Sequence, residues 1–287
     1  VPGFAGSYDV VNAMDKGCAQ LSSFRKTPAV ATSTGVWFDL SMVPGNPAPN
    51  YYIGAITTAT PLARSTDGGI YHGGAVSPAK KALRCLTVLS TSSNSLPLTL
   101  ILCDYLLFYP FIDESTTDTQ PMTNVIPLPR YTGGAGVQMM AVVVAAQTGG
   151  QTFQVTYTNQ DGIAGRLTPV ITQNAIGFNG TLVSTDRARA GCAGPFLPLQ
   201  EGDSGVRSID SVQMISGTDV GLFTLVLVKP LATTQLREQT AAVEKDYLTD
   251  FASLPLVQDD AYLNLLALPT GSMSGVSIHG ITSFVWN

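Results

Sequence analysis

The apolar positions of this chain fall in short runs rich in Leu, Val, Ile and Thr, broken by turns of Gly, Pro, Ser, Asn and Asp. Runs bounded in this way predict strands. The clearest pair is Leu83-Arg84-Cys85-Leu86-Thr87-Val88-Leu89 and Leu98-Thr99-Leu100-Ile101-Leu102-Cys103-Asp104-Tyr105-Leu106, on either side of a Ser/Asn-rich turn through Asn94. Read as a hairpin centred on Asn94, it sets Cys85 opposite Cys103 and makes an ion pair of Arg84 and Asp104. A second pair has the same design: Val206-Arg207-Ser208-Ile209-Asp210-Ser211-Val212, a turn through Gly217-Thr218-Asp219, and Phe223-Thr224-Leu225-Val226-Leu227-Val228-Lys229-Pro230-Leu231. Upstream of each pair, Gly35-Val36-Trp37-Phe38 and Gly136-Val137-Gln138-Met139 precede the Tyr-bearing stretches Tyr51-Tyr52-Ile53 and Val155-Thr156-Tyr157.

This order predicts a diverged tandem repeat. The expected fold class is all-β dominated, two tandem related β-sandwich or jelly-roll-like units with short peripheral helices. The expected segments are an N-terminal helical arm 1–27, a first β unit 28–112, a linker 113–127, a second β unit 128–232, and a C-terminal helix and strands 233–287. No strand–helix alternation appears between residues 30 and 232, which disfavours a parallel α/β sheet.

The period changes at both ends of the chain. Val10, Met14, Cys18 and Leu21 recur at helical spacing and predict a helix over 7–22, weakened by the interior Gly17. Leu236, Val243, Tyr247 and Phe251 fall on one face of a helix over 235–252, which Pro255 ends. The run 137–146 is apolar on both faces and predicts a buried strand. Residues 44–50, Pro-Gly-Asn-Pro-Ala-Pro-Asn, read as an exposed loop. Residues 261–268 and 275–286 read as strands that tie the C-terminus into a sheet.

Composition adds a constraint on the surface. Only 12% of residues are charged, about half the usual share. Small polar side chains must therefore cover the outside, or other subunits must bury it. The net charge is −5 and no Lys/Arg cluster exceeds two adjacent residues, so no nucleic-acid partner is expected. The most apolar run, 96–112, is interrupted by Asp104 and two prolines and is too short to span a bilayer. With no secretory signal visible, the expectation is a soluble protein made in a cytoplasm. Cys18, Cys85, Cys103 and Cys192 have neither zinc spacing nor the density of a disulfide scaffold, and free thiols are expected.

One motif raises the question of catalysis. Glu201-Gly202-Asp203-Ser204-Gly205 contains the Gly-Asp-Ser-Gly that surrounds the nucleophile of chymotrypsin-like proteases, and the order His72, Asp104, Ser204 matches their His, Asp, Ser. Yet Val206 stands where that family has a second glycine, no Ala-Ala-His-Cys-like context surrounds His72, and Asp104 lies within a strand. Gly-Asp-Ser-Gly is also an ordinary turn into a strand. The expectation is that Ser204 is inert, that the chain is not an enzyme, and that it has no catalytic, cofactor or metal residues. His72 and His279 are far apart and near no cysteine pair; Asp259-Asp260 reads as a loop charge pair; Asn179-Gly180-Thr181 reads as a turn rather than a glycosylation site. Trp37, Tyr51, Tyr52 and Tyr71 are candidates for a carbohydrate platform, with core packing as the simpler role.

The stretch Gly202-Asp203-Ser204-Gly205-Val206-Arg207-Ser208-Ile209-Asp210-Ser211-Val212, followed by Leu225-Val226-Leu227-Val228-Lys229-Pro230-Leu231-Ala232, together with Gly35-Val36-Trp37 and Leu128-Pro129-Arg130-Tyr131, resembles virion structural proteins of tailed bacteriophages. The resemblance is spread over most of the chain through short structural motifs and carries no catalytic signature. It implies a virion component, in the first place a capsid cement or decoration protein that binds the major capsid protein and its own symmetry mates. The alternatives are a tail or receptor-binding component and a serine hydrolase using Ser204. The Pro-rich loop 43–50 and the terminal helices are the expected contact elements.

Overall fold

The computed structural model describes residues 3–148, 150–174, 176–183, 194–216, 219–250 and 253–287. It is an all-β fold with two helices among the described residues, α1 (Ser7–Asp15) and the single turn α2 (Arg64–Asp67). The longer strands are β1 (Ala19–Lys26), β2 (Lys81–Ser90), β3 (Leu98–Asp113), β4 (Gln138–Ala145), β5 (Thr152–Asn159), β6 (Val206–Ser216), β7 (Leu222–Leu236), β8 (Val243–Asp246), β9 (Tyr262–Pro269) and β10 (Ile278–Trp286). No helix among the described residues is long and apolar enough to cross a membrane.

A central sheet runs Phe38–Asp39, β9, β3, β7, β4, with Thr60–Pro61 added beside β3. One outer sheet runs β8, β2, β10, β1, Gly45–Asn46; the other runs Arg166–Leu167, β5, β6, Gln120–Pro121. All the pairings within these sheets are antiparallel.

The cores show how these layers stack. Leu98, Leu100 and Leu102 of β3 pack with Leu83, Leu86, Val88, Ile278 and Phe284 of the first outer sheet. Further along β3, Leu107 and Tyr109 join Leu225 and Leu227 of β7 against Phe153, Val155, Ile209 and Val212 of the second. The alternate residues, Ile101, Cys103, Tyr105 and Phe108 of β3 with Val226 and Val228 of β7, belong to one separate cluster closed by Trp37, Met42, Tyr52, Leu62 and Leu182. The two outer sheets thus share one face of the central sheet, and the 37–62 segment with Leu182 covers the other.

Both expected hairpins are corrected by this arrangement. β2 pairs with β8 and β10, and β3 with β7 and β9, so 83–106 is an arch that crosses from an outer sheet to the central one. Cys85 lies opposite Asp246 and Ser283, and Cys103 opposite Pro230 and Asn264. Arg84 pairs with Asp246 at 3.2 Å, while Asp104 takes Arg130. The second pair behaves in the same way, with β6 on β5 and β7 between β3 and β4. The reason is burial: β3 is apolar on both faces and needs cover on both, whereas the partly exposed β2 needs cover on one.

The neighbour pattern of the strands recurs, but in a different chain order from the expected tandem repeat. In β4–β5–β6–β7 the end strands neighbour one another in the central sheet and the middle strands neighbour one another outside. The set β9–β10–β2–β3 has the same pattern. C-terminal strands therefore occupy the places that 35–38 and 51–53 were expected to fill; residues 51–54 form no strand.

Other expectations hold or fail for local reasons. β4 is buried on both faces as expected, and β9 and β10 lie close to their expected bounds. α1 stops at Asp15, and Gly17 at φ 74 turns the chain into β1. The helix over 235–252 does not form: β7 continues through Leu236 and β8 pairs with β2. Leu236 and Tyr247 do face the core, but from the end of β7 and from the turn that follows β8, with Thr240 at φ 57 between them. Phe251 lies outside the described residues, as does Cys192; the other three cysteines are free thiols.

Candidate functional site

The residues of the protease-like motif do not assemble. His72 is fully buried; its Nε2–H donates to the Ala261 carbonyl at 2.9 Å and its Nδ1 accepts from the Lys81 ammonium at 3.1 Å. Burial, with the Lys81 charge beside it, holds its pKa down to about 4. Asp104 accepts from Arg130 at 2.7 and 2.9 Å and from the Tyr262 amide at 3.1 Å. Both His72 nitrogens are thus engaged, and Asp104 is committed to Arg130 and the Tyr262 amide. Ser204 is exposed, and its amide and that of Gly205 both donate to Gln160 Oε1, at 3.0 and 3.1 Å. The Ser204 amide, one of the two donors that would form an oxyanion hole in that family, is thus already engaged.

The motif has a structural purpose instead. Asp203 accepts from Tyr157 Oη (2.6 Å), Asn159 Nδ2 (2.7 Å) and Arg166 Nε (2.9 Å). Arg166, with Tyr157 and Asn159, holds its carboxyl down to about 2. Gly205 lies so close to the 134–136 segment that a Cβ there would stand 2.0 Å from the Gly134 carbonyl oxygen. A fluorophosphonate probe should leave the pure protein unlabelled, and Ser204→Ala should change neither labelling nor stability. Labelling lost in that variant would establish a nucleophile.

Other sequence candidates resolve into structural parts. Among the described residues no group of three or more His, Cys, Asp or Glu side chains is placed to hold a metal. Asp259 accepts from the amides of Val76 and Ser77, and Asp260 from the Ser65 amide and hydroxyl, so both order turns. Trp37 and Tyr52 are buried, whereas Tyr51 and Tyr71 are exposed, Tyr71 beneath the Arg64 guanidinium at 5.3 Å.

Several large apolar side chains are exposed at separate places, Tyr8, Leu21 and Val220 among them, and one group, the rim, lies along the 51–56 and 123–125 segments. The side chains of Ile53, Ile56 and Val125 are 78%, 69% and 64% exposed, and Tyr51 is half-exposed beside them in sequence. They sit on a fixed backbone. The Thr57 amide donates to Pro110 O, the Ala59 amide to Thr123 O and the Thr123 amide to Thr57 O, each at 2.9 Å. Tyr52, between Tyr51 and Ile53, is driven into the core, where its hydroxyl donates to Asp39. Asp39 is fully buried and also accepts from Ser41 Oγ (2.7 Å), the Ser41 amide (2.8 Å) and Tyr105 Oη (2.7 Å). Burial raises its pKa, and these bonds pull the other way. Tyr52 and Thr57 hold left-handed φ of 54 and 49, conformations that persist only where their surroundings impose them.

A second anchor fixes the neighbouring loop. Lys26 is fully buried on β1 and donates to Val43 O at 3.1 Å and Pro47 O at 2.8 Å. Burial lowers its pKa to about 8, against the pull of Asp39. The Pro-rich loop 43–50 is therefore latched down, with Val43 and Pro47 buried and Pro44 exposed. Of the rim residues only Tyr51 stood among the sequence candidates, for a carbohydrate platform; Ile53, Ile56 and Val125 did not. Their signal is isolated Ile and Val in Pro/Thr-rich stretches, which periodicity does not detect.

No protein-family model matches the chain, and no curated protein matches it. Among solved structures it is similar to the infectious bursal disease virus VP2 subviral particle at 9% identity and TM-score 0.19, covering 94% of this chain and 80% of that one. The structure of the Gt strain of infectious bursal disease virus gives 10% identity and TM-score 0.17, covering 93% and 80%. Likeness at these scores assigns neither a fold nor a function.

Proposed function

We propose that this chain is a non-enzymatic structural subunit of a virion, and that it works by docking its apolar rim onto a neighbouring protein subunit. The observation that carries this reading is the rim itself: Tyr51, Ile53, Ile56 and Val125 stand in solvent on a backbone locked by buried Asp39 and by the 57–59/123 hydrogen bonds. Apolar side chains held on an already fixed backbone cost little ordering on binding. The low charged fraction agrees with a surface meant for repeated contacts. The resemblance to tailed-phage virion proteins supplies the kind of partner.

In its finer form the subunit is a cement or decoration protein, made in the host cytoplasm, that bridges major capsid proteins and touches its own symmetry mates. Each contact can be modest, because many act together around a shell. The paired Ile53→Asp and Ile56→Asp substitutions should leave the melting temperature of the isolated chain unchanged and weaken its capture by particles about thirtyfold or more, the effect of losing a hot spot of ~2 kcal/mol. Unchanged capture would remove the rim from the contact. Particles lacking the protein should assemble but break at lower temperature. Failure to assemble would make it a shell subunit, and its presence only in the tail would favour the tail-component alternative.

A further inference from the structure

Near the ends of β3 and β4 and the arch between β6 and β7, five polar side chains come together with most of their oxygens unused. Glu114 follows β3, Gln147 follows β4, Gln151 precedes β5, Gln173 lies beyond β5's short partner Ile171–Thr172, and Asp219 lies between β6 and β7. The backbone ties them together. The Asp219 amide donates to Glu114 O at 2.9 Å, the Glu114 amide to Gly221 O at 3.4 Å, and the Gln173 amide to Gln151 O at 2.8 Å. Thr148 Oγ1 donates to Asp219 Oδ1 at 2.9 Å.

Room for Gln147 is made by two glycines. A Cβ on Gly177 would stand 2.9 Å from Gln147 Cγ, and one on Gly221 2.7 Å from Gln147 Cβ. Gln151 and Gln173 continue the inward faces of Phe153 and Ile171, both core residues, so their side chains enter the same end of the sandwich.

Glu114, Gln147 and Gln173 are 0%, 1% and 1% exposed. Both Glu114 carboxylate oxygens, the side-chain oxygens of Gln147, Gln151 and Gln173, the amide nitrogens of Gln147 and Gln173, and Asp219 Oδ2 are buried atoms with no hydrogen-bond partner among the described residues. Buried polar atoms are almost always satisfied, and each one left alone costs about 1–3 kcal/mol. Five such side chains at one place are a built feature.

We propose that this end of the sandwich is a binding site for a divalent cation of the calcium class, held by Glu114 and Asp219 as charged ligands and by the amide oxygens of Gln147, Gln151 and Gln173. Hard oxygens in this number, without sulfur or imidazole, suit calcium, which takes six to eight oxygen ligands in flexible geometry. Magnesium demands a tighter octahedron and keeps its waters, which an amide-rich pocket does not replace. The ion would tie the ends of β3, β4 and the β6–β7 arch together, independently of the rim's role.

The test uses the full chain, treated with a chelator and desalted, then titrated with calcium chloride by calorimetry and thermal unfolding. One calcium per chain is expected, with a melting temperature about 5 °C higher at a hundredfold excess over the dissociation constant. Magnesium should give a much smaller shift. Glu114→Gln and Asp219→Asn should each abolish the calcium shift. If Glu114→Gln fails to fold, Asp219→Asn, at a partly exposed position, decides alone. No heat and no shift with calcium, an equal shift with magnesium, or a full shift retained in Asp219→Asn would overturn the site.

Discussion

Replacing Arg130 by Met should destabilise the protein by about 3–5 kcal/mol, the cost of leaving a buried charge without its partner. Asp104 is fully buried at the centre of β3, between the Leu98–Leu102 core and the Leu107–Tyr109 core. Arg130 reaches it with two parallel bonds of 2.7 and 2.9 Å, and also donates to Leu62 O at 3.0 Å and Tyr105 O at 2.8 Å. Burial raises the Asp104 pKa and Arg130 opposes that rise, so a variant without the guanidinium must bury an acid or expel it. One arginine thus joins both cores and the covering segment 37–62. Urea unfolding of Arg130→Met, and of the double variant Arg130→Met with Asp104→Leu, checks this. The double variant should recover much of the loss, since two apolar groups need no pairing. A single-variant loss below about 1 kcal/mol would show that the pair is not the joint described.

The second large effect is expected at Gly205. Its place in Gly-Asp-Ser-Gly invites a catalytic reading, yet the glycine is demanded by a close backbone approach. An added methyl would stand 2.0 Å from Gly134 O and 2.8 Å from Gly136 N. Neither atom is the end of a flexible side chain, so strands must separate where Gly136 N donates to Ser204 O and Val206 N to Val137 O. Gly205→Ala should cost about 3 kcal/mol or prevent soluble expression. Gly133→Ala is the control: its Cβ would meet nothing within 4 Å, and the change should be nearly neutral. Equal stability of the two variants, by thermal unfolding, would contradict the close approach.

The contrast between Ser204 and Gly205 shows which parts of this protein a sequence reader can see. Strand content was legible, because runs such as 98–106 and 137–146 are apolar in a way only a central sheet can bury. Partner choice was not. Leu83–Leu89 and Leu98–Leu106 look like the arms of a hairpin, and nothing local says that a 90–98 turn bends out of one sheet into another. The helical spacing of Leu236, Val243 and Tyr247 arose from the end of β7, from β8 and from the turn that follows it, which face one core, an overlap of periods that composition could not separate. The aliphatic part of the rim was invisible for a different reason. Ile53 and Ile56 count as core residues in any pattern, and only burial shows that the fold leaves them outside while it buries Lys26, Asp39 and Glu114.

The central claim, that the rim is where this chain meets another subunit of a virion, is tested most directly by a density map of the intact particle at a resolution that places side chains. The account predicts that Tyr51, Ile53, Ile56 and Val125 lie buried against a capsid protein or a second copy of this chain. A map in which those four side chains face solvent, with the contacts made elsewhere, would contradict it.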